Sequence, residues 1–293
     1  MKHLQLLTLL FLIASCCSTK QVTEPPKQET KQNKIVEIIK EKDSIIKKTN
    51  LIKTVSEVLE VSKDTISKIS EPNTKENTKI LFNHDSWNVL LQKHVSNQGH
   101  VNYKDFKKNR KFLLNYIASL SENMPKDSWT KNEKLAYWIN AYNALTVDLI
   151  LQNYPVKSIK DIKNPWEQRL WKLNNKWYNL EEIEHEILRK MDEPRIHFAI
   201  VCASFSCPKL QNEAFTAKKL ELQLTNATKE FLSDSNRNEI SENSIKLSKV
   251  FQWFSKDFKQ YGSLIDFLNM YTVVTISEKA KKSFKDYNWD LND

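Results

Sequence analysis

Apolar positions fall into periodic stretches separated by polar turns. Trp87, Leu90 and Leu91 recur at helical spacing behind Asn83 or Asp85, either of which can cap, and predict a first helix through His94. A turn at 97–99 and a short extended piece at 100–103 lead to a second predicted helix, 105–122, with Phe112, Leu113, Tyr116, Ile117 and Leu120 on one face. The third helix has the sharpest start: Thr130 and Glu133 form a capping box ahead of a run that is apolar nearly all round and stops before Pro155. Such a helix belongs at the centre of a domain. Residues 169–180 alternate about Asn174 and Asn175 and predict a β-hairpin, after which Asn179 can cap a short helix bearing His185.

The apolar run Ile196 to Val201 predicts a buried strand opening into a polar turn closed by Pro208. Beyond it the pattern predicts an amphipathic helix near 217–234, a second hairpin turning at 242–244 and reaching 251–254, and two last helices near 263–270 and 277–284. The expected fold is α+β: one helix-rich domain over residues 80–293 with a small antiparallel sheet.

The N-terminal residues are of another kind. Residues 1–17 read as a leader, with Lys2 ahead of an apolar core and Ile13, Ala14, Ser15 and Cys16 at its end. That tetrapeptide resembles a bacterial lipobox. It implies lipidation of Cys16 and a chain held to a membrane outside the cytoplasm. Residues 18–79 contain no aromatic residue and are dominated by Lys, Glu, Thr, Ser, Gln and Asn, which predicts a disordered or partly helical tether. Ile38, Ile45, Ile52, Leu59 and Ile66 recur every seven residues there, but no second apolar position completes the heptads of a coiled coil.

Composition narrows the chemistry. Gly99 and Gly262 are the sole glycines, which excludes a glycine-rich phosphate loop, so no nucleotide and no other cofactor is expected. The net charge of +9 is spread along leader, tether and domain and interleaved with acids, so nucleic acid is not an expected partner either.

Reactive groups gather at residues 194–210 (PRIHFAIVCASFSCPKL), with His197 on one side of the run and Cys202, Ser204 and Cys207 on the other. Cys202 and Cys207 admit four readings: a disulfide across the turn, a zinc site with His185 and His197, a nucleophile–histidine–asparagine arrangement, or buried thiols without a role. The zinc spacing matches no strong pattern, and no metal is assigned. For the nucleophile reading, Cys202, His197, His185 and Asn143 are the catalytic candidates. In a regular strand His197 and Cys202 would point to opposite faces, which favours His185 as partner or an early turn. On the central helix, Asn140 and Asn143 share a face and either tie loops to the core or line a site.

Residues 137–145 (YWINAYNAL), 183–189 (IEHEILR), 195–204 (RIHFAIVCAS), 206–210 (SCPKL), 212–215 (NEAF) and 287–293 (YNWDLND) resemble, in order, the domain of unknown function 547. The resemblance implies a bacterial domain, also found in plants, with no established activity. The helix-then-histidine order is also similar to transglutaminase-like and papain-like thiol enzymes, although here the helix offers Asn140 and Asn143 where those carry the cysteine. The leading expectation is therefore a lipid-anchored envelope protein that binds or assembles through a polar pocket. Asn140, Asn143, Ser204, Cys207 and Asn212 are its binding candidates, and an unidentified envelope protein or peptide its partner. The alternatives are a thiol-dependent acyl transferase or peptidase using Cys202, and a domain in which the cysteines and histidines are structural. Catalysis is left open.

Overall fold

Thr130 begins the element around which everything else packs. Its side chain accepts from the Glu133 amide, and the capping box starts α4, Lys131–Asn153, whose residues from Leu135 to Leu151 are all buried. Three helices come before it in the computed structural model, which describes residues 82–260 and 262–293: α1 (Asp85–His94), α2 (Tyr103–Lys108) and α3 (Arg110–Glu122). The expected single helix at 105–122 is interrupted at Asn109, which ends α2 and precedes α3. The described residues fall within one compact unit, Thr78–Asp293. The leader with Cys16 and the tether at 18–79 lie outside them. Among the described residues no helix is long and apolar enough to cross a membrane.

The first hairpin forms as its alternation predicts. Strands β1 (Trp171–Leu173) and β2 (Lys176–Tyr178) pair antiparallel around Asn174, whose φ of 54° supplies the left-handed turn residue. Asn179 then caps α5 (Leu180–Glu182), accepting from the Glu182 amide. This helix continues as a π-helical turn, Ile183–Leu188, and a 3-10 turn, Arg189–Met191.

The predicted strand at 196–201 is a correction. Pro194–Phe198 is a 3-10 helix, with Pro194 in its first turn and the Glu193 side chain accepting from the Arg195 amide. An apolar run buried on all sides carries no period that separates strand from helix, and the local caps decide for helix. The segment lies on the seam of two apolar clusters. Ile196, Ala199 and Ile200 pack with the α4 core, whereas Phe198 joins Phe231, Phe251, Phe258 and Phe267.

After α6 (Leu220–Ser233), strands β3 (Glu239–Ile240) and β4 (Ser244–Leu247) form the second hairpin, antiparallel as expected. Two further expectations fail beyond it. Residues reaching 251–254 are not strand but α7, Val250–Trp253. A short helix α8, Leu264–Asn269, follows as predicted. The last predicted helix is instead β5, Lys281–Phe284, which pairs parallel with β4, so the small sheet is mixed rather than purely antiparallel. The lysines there favour a helix locally, and the free edge of β4 overrides them.

Candidate functional site

Asn143 fixes the segment that carries the cysteines. Its Nδ2 donates to the Ala199 carbonyl at 2.9 Å and its Oδ1 accepts from the Val201 amide at 3.0 Å, so one side chain stands in for a paired strand. Asn140 does the same one turn earlier, holding the Phe215 carbonyl at 2.7 Å and amide at 3.0 Å. Both amides are buried and have donor and acceptor engaged by backbone. They tie loops to the core and do not line the cavity described next. Asn212 also lies away from it, donating to Asn97 at the surface.

Beyond Val201 the chain turns sharply. Ala203 adopts φ 57°, and the Cys207 amide closes the turn on the Ser204 carbonyl at 3.1 Å. The C-terminal residues brace it: the Phe205 amide donates to Asp290 O at 2.7 Å and the Ser206 amide to Asn288 O at 3.1 Å. This pairing brings Tyr287 and Trp289 to the cysteines. A non-glycine residue held at positive φ beside a reactive group is a conformation that its surroundings must enforce.

Cys202, Cys207, His185, His197 and Glu184 line one cavity of about 190 Å³, walled by Trp253, Phe254, Tyr287 and Trp289. Cys202 is partly exposed and Cys207 buried. The Cys202 sulfur lies 2.7 Å from the Cys207 sulfur, 3.1 Å from Ser204 Oγ and 3.3 Å from the Tyr287 hydroxyl. The Cys207 thiol, and after it Ser204 and Tyr287, stabilise the thiolate against burial and bring Cys202 down to about 7. Burial, reinforced by its neighbour, drives the Cys207 thiol the other way. The two sulfurs are chemically unequal.

The histidines occupy a second cluster on the same cavity. His197 Nε2 meets Asp257 Oδ2 at 2.8 Å, and Arg189 grips the same carboxylate through Nε at 2.6 Å and Nη2 at 2.8 Å. A carboxylate only accepts, so the His197 proton sits on Nε2 and Nδ1 carries the lone pair. Burial lowers His197, with Asp257 opposing. Burial also works against the Asp257 charge, yet Arg189 and His197 hold that carboxyl well below the usual range. His185 Nδ1 lies 3.0 Å from Arg189 Nη1; arginine only donates, which leaves the His185 proton on Nε2. Glu184 is raised by burial, with His185 and the Tyr142 hydroxyl at 3.0 Å opposing. Among the described residues no group of three or more His, Cys, Asp or Glu side chains is arranged to hold a metal ion. Ligand-type residues share the cavity without converging.

The sequence nominated Cys202, His197, His185, Ser204 and Cys207, and the structure brings them together. It leaves Asn140, Asn143 and Asn212 outside. Sequence reasoning missed Asp257, Arg189, Glu184 and Tyr287 as members of the site. Three of these lie within motifs already singled out, at 183–189 and 287–293, whereas Asp257 carries no local signal.

Residues 126–232 match the family model described as Protein of unknown function, DUF547, which supports the family that the motifs resemble. The match spans α4, both histidines and both cysteines, and ends before Asp257 and Tyr287. No curated protein and no solved structure matches the chain.

Proposed function

We propose that this domain is a thiol enzyme in which Cys202 attacks an acyl group held in the cavity, for acyl transfer or peptide hydrolysis. We propose further that Cys16 carries the lipid that anchors it outside the cytoplasm. The observation that carries the enzymatic reading is the environment of Cys202: a partly exposed residue whose sulfur has three polar partners and is brought to about 7, at a cavity that His197 also lines. A thiolate is the reactive form, and a value near ambient pH gives a useful thiolate population without a base in contact. His197, neutral through burial and oriented by Asp257, suits proton transfer, and His185 Nε2–H suits hydrogen bonding to a developing oxyanion.

The test is to incubate the full chain with p-nitrophenyl acetate and determine the intact mass. The reading expects one acetyl group on Cys202, absent from Cys202→Ser with an unchanged circular dichroism spectrum. Acetylation elsewhere, or unfolding of Cys202→Ser, contradicts it.

The aromatic wall of Trp253, Tyr287 and Trp289 favours a second reading, in which the cavity binds a segment of an envelope partner. That reading expects Trp253→Ala to weaken ligand uptake and Cys202→Ser to leave it intact.

A further inference from the structure

The structure points to a second chemistry at the same sulfur. We propose that Cys202 and Cys207 form a reversible dithiol pair that exchanges with low-molecular-weight organic disulfides. The inference rests on Cys202 being an accessible nucleophile, as in the reading above, and adds a role for Cys207 that acyl chemistry does not need.

Three geometric features carry it. The sulfurs are in contact at 2.7 Å, inside van der Waals separation, and a disulfide bond of ~2.05 Å requires only a short further approach. The loop is already folded to hold them: the Cys202 amide donates to the Cys207 sulfur at 2.8 Å, and the turn closes between Ser204 and Cys207. Their exposures differ, with Cys202 partly exposed and Cys207 buried behind it at 5%. An incoming disulfide therefore meets the more exposed Cys202 first, with the buried Cys207 sulfur already in contact with it. The cavity of about 190 Å³ sets the substrate class, since it admits a small disulfide and not a folded protein.

The step balances as follows. The Cys202 thiolate attacks one sulfur of R–S–S–R, an S–S bond forms to the protein, and RS⁻ leaves. Cys207 then attacks the Cys202 sulfur, giving up its proton to the departing second thiolate. Two protein thiols are oxidised to one disulfide, and one organic disulfide is reduced to two thiols. The contrast in acidity suits this order, because the more acidic thiol attacks first and the buried one resolves.

Peptide mapping can follow the reaction in the full chain. Both cysteines fall in the single tryptic peptide 196–209, apart from Cys16 and Cys17. The reduced protein is treated with bis(2-hydroxyethyl) disulfide, and that peptide is followed by mass spectrometry with time. The expected course in the wild type is a transient mixed disulfide at Cys202, then an internal disulfide with loss of two hydrogens. Cys207→Ser and Cys207→Ala should stop at the mixed disulfide. A wild-type adduct that persists without internal closure overturns the dithiol inference and leaves Cys202 as a nucleophile. A Cys202 that never reacts removes both. The wild-type time course decides even where the Cys207 variants misfold.

Discussion

His197 Nε2 and Asp257 Oδ2 lie 2.8 Å apart across 60 residues of sequence, and the same carboxylate is held by Arg189. This cluster joins the 3-10 turn Arg189–Met191, the 3-10 helix at Pro194 and the residues after α7.

Replacing Asp257 by Asn leaves the Arg189 guanidinium without its anion in a half-buried setting and frees the His197 ring. Breaking a buried pair from one side costs about 3 kcal/mol. Asp257→Asn should lower the denaturant midpoint accordingly and slow acetylation of Cys202. An unchanged midpoint would show that the cluster adds nothing to the fold.

Asn143→Ala removes the side chain that satisfies the Ala199 carbonyl and the Val201 amide. Two buried backbone groups left unpaired should cost about 3 kcal/mol. Thermal unfolding should therefore report a large loss. A stable variant that has lost only ligand uptake would instead put Asn143 in a binding site.

Much of this arrangement was legible wherever the signal was local. The Thr130–Glu133 capping box, the turn at Asn174 and the Asn179 cap each need only neighbours within a few residues, and each formed as read. The run 196–201 was misread because burial on every side erases the period that tells a strand from a helix. Residues 281–284 were misread because their partner, β4, lies far away in sequence. Asp257 and Tyr287 stayed invisible as site residues for the same reason. Local sequence pointed to Cys202 as the candidate thiol, whereas only the tertiary fold brings Tyr287 beside it and Asp257 onto His197.

The Tyr287 hydroxyl lies 3.3 Å from the Cys202 sulfur and accepts from Ser204 Oγ at 3.0 Å. Tyr287→Phe removes a donor to the thiolate and should raise the midpoint of Cys202 alkylation above about 7. Ser204→Ala should act in the same direction. No upward movement in either variant would mean that these hydroxyls do not hold the thiolate.

Burial lowers His84 from 6.5 to about 4, with Asp85 opposing. Between those values the unfolded chain binds a proton that the folded chain does not, so stability is lost as pH falls through this window. The loss amounts to about 3 kcal/mol at most. Denaturation midpoints at pH 7 and pH 4.5 should differ in the wild type and differ less in His84→Gln. Equal slopes in the two proteins would exclude His84 as the cause.

The most direct measurement is the rate of iodoacetamide alkylation at Cys202 against pH, read in peptide 196–209 of the full chain. The account predicts a sigmoid centred near 7, with Cys207 unmodified throughout. A rate that rises only near an ordinary thiol's 9.0, or alkylation that falls first on Cys207, would contradict it.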